Sequence, residues 1–146
     1  MSLKLSIEIV PEPLHYRSLR SVVSGSDWDV IRKKVYKNAG WKCQSCGASN
    51  IKCNAHEVWN YDDVKHIQKL IGFVCLCHDC HMVKHLGFAE VSGKFDDAFN
   101  HFRAVNGLPV NDAKKLVDDA WKMWETRNNH DWIQDMGYAK EFMRGC

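Results

Sequence analysis

Four cysteines stand in two pairs with the same two-residue spacer, Cys43-Gln-Ser-Cys46 and Cys77-His-Asp-Cys80. Such a spacer lets the chain turn so that both thiolates of a pair reach one ion at roughly 2.3 Å, and two pairs complete the tetrahedron that zinc prefers. Gly47, directly after the first pair, suits the positive φ that a turn of this kind needs. The expected ligand set is therefore Cys43, Cys46, Cys77 and Cys80 around one structural Zn2+. His78 lies inside the second knuckle and is a weaker substitute. Of the other three cysteines, Cys75 falls in an apolar run, Cys53 in an expected strand and Cys146 at the chain end. An odd total of seven with matched knuckles suits metal in a reducing compartment better than a secreted disulfide framework.

A second group of residues could do chemistry. His81 and His85 are four apart on a stretch without helix breakers, so they share one helical face and together suit a divalent metal with open positions. The bland account has His81 packed beside the zinc and His85 solvated. Upstream, His56 sits in Ala55-His56-Glu57-Val58-Trp59, between the two knuckles.

Taken together, Cys43-x-x-Cys46, AHEVWNYDD and LCHDCHMVKHLG resemble the HNH endonucleases, the zinc-stabilised treble-clef or ββα-metal nucleases with two CxxC knuckles. The likeness covers residues 26–93 well and the rest loosely. It implies a strand carrying the first motif histidine, then a second knuckle leading into a helix that carries the last. It also implies that His56 is the general base for water attacking a phosphodiester, while a second divalent metal such as Mg2+, Mn2+ or Ni2+ at His81 and His85 stabilises the developing charge. Two positions depart from the pattern. Ala55 stands where the family often has a metal-ligating acid or histidine, and the middle Asn falls near Gly72. Glu57 is an alternative carboxylate, with His56 then a ligand and the base role shifted by one residue; Asp62 and Asp63 are further candidates. The implied partner is nucleic acid, with DNA the expected form. The competing function is an HNH-like zinc module that has lost cleavage and binds nucleic acid or a protein.

The elements that must position these residues can be read from periodicity. Residues 3–10 alternate apolar and polar, as a half-buried strand does, and Pro11 and Pro13 end them. Residues 27–39 place Trp28, Ile31, Val35 and Tyr36 at helical spacing, with Ser26 or Asp27 to cap and Gly40 to stop. Residues 51–59 suit one strand of a hairpin, 62–71 a short helix, and 79–86 a helical turn or two. Amphipathic helices are expected over 95–105 and 112–127, with a last helical stretch from Asp131. Trp28, Trp121, Trp124 and Trp132 are expected to pack.

The reading is one α+β domain over 1–146: a zinc-held ββα, treble-clef, HNH-like core with flanking helices. It divides into an N-terminal strand and arm (1–25), the knuckle core (26–93) and a helical extension (94–146). A chain of 146 residues with 45% hydrophobic content is long enough for one buried core. The net charge of +2 neither demands nor excludes an anionic partner, but residues 1–50 carry eight Lys/Arg against four acids. Arg17, Arg20 and Arg32-Lys33-Lys34 would lie along phosphates, or simply form a solvated face. No apolar run approaches the roughly 18 residues of a membrane span, so a cytoplasmic protein without membrane contact is expected.

Overall fold

The computed structural model describes residues 3–15 and 17–145. Its centre is a hairpin, β1 (Asn54–Asp62) and β2 (Ile67–Leu76), with a short third strand, β3 (Ile133–Asp135), laid parallel to β2. The sheet order β1-β2-β3 leaves β1 as a free edge. Helices α1 (Leu19–Val22) and α2 (Gly25–Asn38) precede the hairpin. After it come α3 (His78–Lys84), α4 (Leu86–Val91), α5 (Phe95–Asn106), α6 (Val110–Arg127) and, beyond β3, α7 (Tyr138–Arg144). The class is mixed α+β, with helix dominant. Among the described residues, no helix is long and apolar enough to cross a membrane.

Because side chains alternate along a strand, β2 feeds two cores. Leu76 joins Val83, Leu86, Ala98 and Phe102 on the side of α3 to α6, while Leu70 and Cys75 join Leu19, Ile31, Val35 and Ala139 on the side of α1, α2 and α7. A bulge interrupts the hairpin: Val58 pairs with Gly72 but Trp59 with Leu70, so Ile71 has no partner. An extra residue of this kind bends the strand and re-aims its neighbours.

Helix α2 starts earlier than expected, because Ser24 and not Ser26 or Asp27 is its cap, accepting a bond from the Asp27 amide at 3.1 Å. At its end, Gly40 has φ 63°, a left-handed conformation in which glycine carries no Cβ penalty. Helices α5 and α6 form where helical spacing placed them, each slightly longer.

Four expectations are corrected. Residues 3–10 form no strand: the chain bends at Lys4 and Leu5, and the backbone of residues 4–6 bonds side chains, not a neighbouring strand. Asn106 accepts from the Lys4 and Leu5 amides through Oδ1 and donates to the Leu5 carbonyl through Nδ2, at 2.8–3.1 Å. The short helix at 62–71 is instead the hairpin turn and the first half of β2. Val64, which that helix would have buried, is 87% exposed, and Asp62 Oδ1 caps the turn by accepting from the Val64 and Lys65 amides. The first strand begins at Asn54, so Cys53 precedes it and the strand runs on to Asp62. Finally, residues after Asp131 enter β3 before any helix. Trp132 is buried, meets Tyr61 edge-on and donates its indole N–H to the Arg127 carbonyl at 2.9 Å. Gln134 donates to the buried Gln68, which donates to the Tyr61 hydroxyl. Cys146 lies outside the described residues.

Candidate metal centres

The two knuckles face each other at the base of the hairpin. In the first, the Gly47 amide bonds the Cys43 carbonyl at 3.0 Å and the Cys46 amide points at Cys43 Sγ at 3.5 Å; Gly47 has φ 79°. In the second, Cys77 is the N-cap of α3, its Sγ accepting from the Cys80 amide at 3.5 Å. A side-chain bridge ties the knuckle to the sheet: the Gln44 amide donates to the Cys75 carbonyl and the Cys75 amide to Gln44 Oε1, both 2.8 Å.

The four Sγ atoms lie within 4.8 Å of one another and could hold a metal ion. Bonds of about 2.3 Å in a tetrahedron require sulfur atoms about 3.8 Å apart. The Cys46 and Cys77 sulfurs are 3.8 Å apart, so the donor set fits zinc. Burial works against ionisation of Cys43, but amide N–H groups pointing at its sulfur outweigh burial and hold it down to about 7. Burial pushes the Cys80 thiol up, as does the proximity of the other sulfurs, the pattern of a site whose charge needs a cation. Cys75 is buried beside Cys53 and is pushed up to about 12, chiefly by burial, so it behaves as a core thiol.

One residue at this centre carried no signal of its own in the sequence. His101, on α5, brings Nε2 to 3.1 Å from Cys80 Sγ. This contact ties the helical extension to the cysteine cluster, and with zinc bound, when Cys80 is a thiolate, the imidazole N–H would be the donor. His101 is far from any knuckle in sequence, and helical periodicity alone marks only which residues of α5 face the core.

The second cluster forms on the opposite side of α3 from that extension. His81 and His85 point their Nε2 atoms at the same spot, 3.0 Å apart, which suits two nitrogens bound to one ion at about 2.0–2.1 Å. His56 comes from β1, its ring centroid 5.5 Å from His81 and 5.1 Å from His85. One nitrogen from each of the three lies within 4.8 Å of the others. The His56 Nδ1–H donates to the Glu57 carbonyl at 2.6 Å, so Nε2 is the nitrogen with the free lone pair. Burial is the main cause that lowers all three imidazoles, with mutual repulsion added for His56 and His81. His56 is pushed down to about 3 and His81 to about 4. All three are neutral near pH 7, as ligands must be.

Glu57 lines two clefts together with His56 and His85. Burial raises its carboxyl above the ordinary range, although Oε1 accepts from the Leu19 amide at 3.1 Å. Lys84 lines the same clefts, near enough for its charge to help lower His56, and donates to Ser6 and Glu8, which straps the N-terminal arm across the cleft. Asp62 caps the hairpin turn, and Asp63 forms a two-bond fork with Arg127 at 2.8 and 3.0 Å, so neither reaches the histidines. Gly72 sits opposite Val58 at the bulge, and Ala55 packs into the α2 side of the core. His78 is exposed and outside both clusters. Compared with family models, with characterised proteins and with solved structures, the chain matches none of them.

Proposed function

We infer that the protein is a metal-dependent endonuclease of the HNH type, hydrolysing phosphodiester bonds in nucleic acid on a zinc-held ββα core. The observation that carries this reading is the convergence of His56, from a hairpin strand, with His81, in the helix that follows the second knuckle, and His85, the residue that caps that helix's C-terminus. The order β1, β2, α3 with a CxxC pair at each entrance is the arrangement that the HNH resemblance implies. DNA is the substrate form to test first.

His81 and His85 would hold a divalent cation, which supplies charge neutralisation at the phosphate and leaving oxygen when bound. His56 offers a neutral Nε2, oriented by its Nδ1–H bond, to take the proton from water. The four cysteines fix the distance between β1 and α3 and so set how closely His56 approaches the other two. One observation favours a second assignment of roles. An imidazole held near 3 is a weak base at pH 7, and it already lies within ligand reach of the other two. In that assignment His56 is the third ligand, and Glu57, in the same clefts with a raised carboxyl, takes the proton.

The test is nicking of supercoiled plasmid by the zinc-loaded protein with magnesium, manganese or nickel added. Cleavage that falls by a factor of about 10² to 10⁴ in His56→Ala, with zinc content retained, supports the nuclease. Glu57→Gln separates the two role assignments: full activity leaves His56 as the base, and an equal loss gives that role to Glu57. Binding without cleavage under every metal would replace the nuclease with a non-cleaving binding module.

A further inference from the structure

His81 has a second exposure besides the histidine cluster. It forms part of the wall of a separate pocket of ≈ 300 Å³ between α1, α2 and the start of β1, lined also by Arg20, Trp28, Asp29, Arg32 and Tyr36. The pocket therefore sets two guanidinium groups and two aromatic rings against a ligand residue of the candidate metal centre.

The charge in this pocket is not used up internally. Asp29 pairs with Arg32 through Nε at 2.8 Å and Tyr36 also lies within hydrogen-bonding reach of Arg32, so the terminal nitrogens of Arg32 are left without a carboxylate partner from Asp29. Arg20 is near enough to Asp29 for its charge to be felt, yet forms no ion pair with it. Two cations against one acid leave a net positive pocket. Planar guanidinium groups recognise phosphate through paired N–H donors. Trp28 and Tyr36 are half-buried against the α2 core, which fixes their rings in place.

We propose, resting on the nuclease reading, that this pocket holds the nucleotide next to the scissile phosphate as a single strand, Arg20 and Arg32 gripping its phosphate and Trp28 and Tyr36 flanking its base. The volume lies near the lower limit of about 300 Å³ for small-ligand sites, enough for one nucleotide. A base paired inside a duplex has its faces covered by its neighbours, whereas an unstacked base can lie on an aromatic ring. The substrate class is thus single-stranded or locally opened nucleic acid.

The experiment measures anisotropy of a fluorescein-labelled single-stranded oligonucleotide and of a blunt duplex of the same sequence. The zinc-loaded protein is used without added divalent metal, so cleavage does not intervene. The expected result is at least tenfold tighter binding of the single strand. In Arg20→Gln/Arg32→Gln, binding should weaken and the slope of log affinity against log salt should fall by about 0.7, the value for one phosphate contact on a single strand. Lys115→Gln, an exposed α6 lysine outside the pocket, should change neither. Arg20→Gln alone removes a side chain with no ion pair among the described residues, so its loss of binding cannot be ascribed to misfolding if melting is unchanged.

Equal affinity for both forms, or a salt slope unaltered in the double variant, overturns the proposal. Plasmid cleavage that survives unaltered in the double variant would overturn the pocket and leave the nuclease standing. Pocket-dependent single-strand binding without cleavage under any metal would do the reverse.

Discussion

Replacing His101 by Phe should weaken zinc binding while leaving all four cysteines in place. The structure sets the size of the effect. His101 Nε2 lies 3.1 Å from Cys80 Sγ, and a hydrogen bond to a charged acceptor contributes about 1.5–3 kcal/mol. At about 1.4 kcal/mol per tenfold, that is roughly a 10- to 100-fold rise in the zinc dissociation constant, the range found when a residue that supports a metal ligand is removed. Phe keeps the ring volume in a half-buried position and removes only the donor, whereas His101→Gln restores an N–H. The assay is competition for zinc against a chromophoric chelator. Cobalt substitution adds a spectroscopic check, since a lost bond to a thiolate should move the sulfur-to-cobalt absorption band. An unchanged dissociation constant in His101→Phe, or a Gln variant as weak as Phe, would refute the argument that the N–H steadies the thiolate.

Cys77→Ser should remove zinc and melt the domain near room temperature, because binding at such a site contributes on the order of 10 kcal/mol of folding free energy. Elemental analysis and far-ultraviolet circular dichroism check this, and a zinc-free protein with unchanged melting would exclude it. Replacing His85 by Ala should leave zinc content intact but weaken binding of added manganese, read by titration calorimetry, since it removes one of two nitrogens 3.0 Å apart. Acid should destabilise the fold through the buried imidazoles. His56 is held near 3 in the folded state against about 6.5 in the unfolded chain, so between these values the unfolded chain binds more protons. Its contribution is intact above pH 6.5 and is lost as pH falls, by up to about 1.4 kcal/mol per pH unit. Urea melts at pH 6.5 and 5, compared with a His56→Gln variant, should show the wild type losing up to about 2 kcal/mol more, and parallel loss in both would contradict it.

The sequence alone determined the parts of this protein that depend on local spacing. Cys-x-x-Cys brings two sulfurs together whatever surrounds it, and the thiols of both knuckles meet where zinc would sit. His81 and His85 share a face because four residues make about one helical turn. The helices α2, α5 and α6 were legible for the same reason, each with a long periodic apolar face. The hairpin's second strand was not, since Val64, Ile67, Leu70 and Ile71 satisfy helical spacing as readily as strand alternation, and only pairing with β1 decides between them. Residues 3–10 show the converse: alternation predicted a strand, but the segment pairs with the Asn106 side chain and not with another strand. Tertiary structure also decided what no spacing encodes. It brought His56 onto the α3 histidines across 25 and 29 residues, set His101 against Cys80, and opened the Arg20–Arg32 pocket onto His81. These are contacts between elements far apart in sequence, fixed by packing on the two faces of one hairpin, and a linear pattern holds no information on which faces will meet.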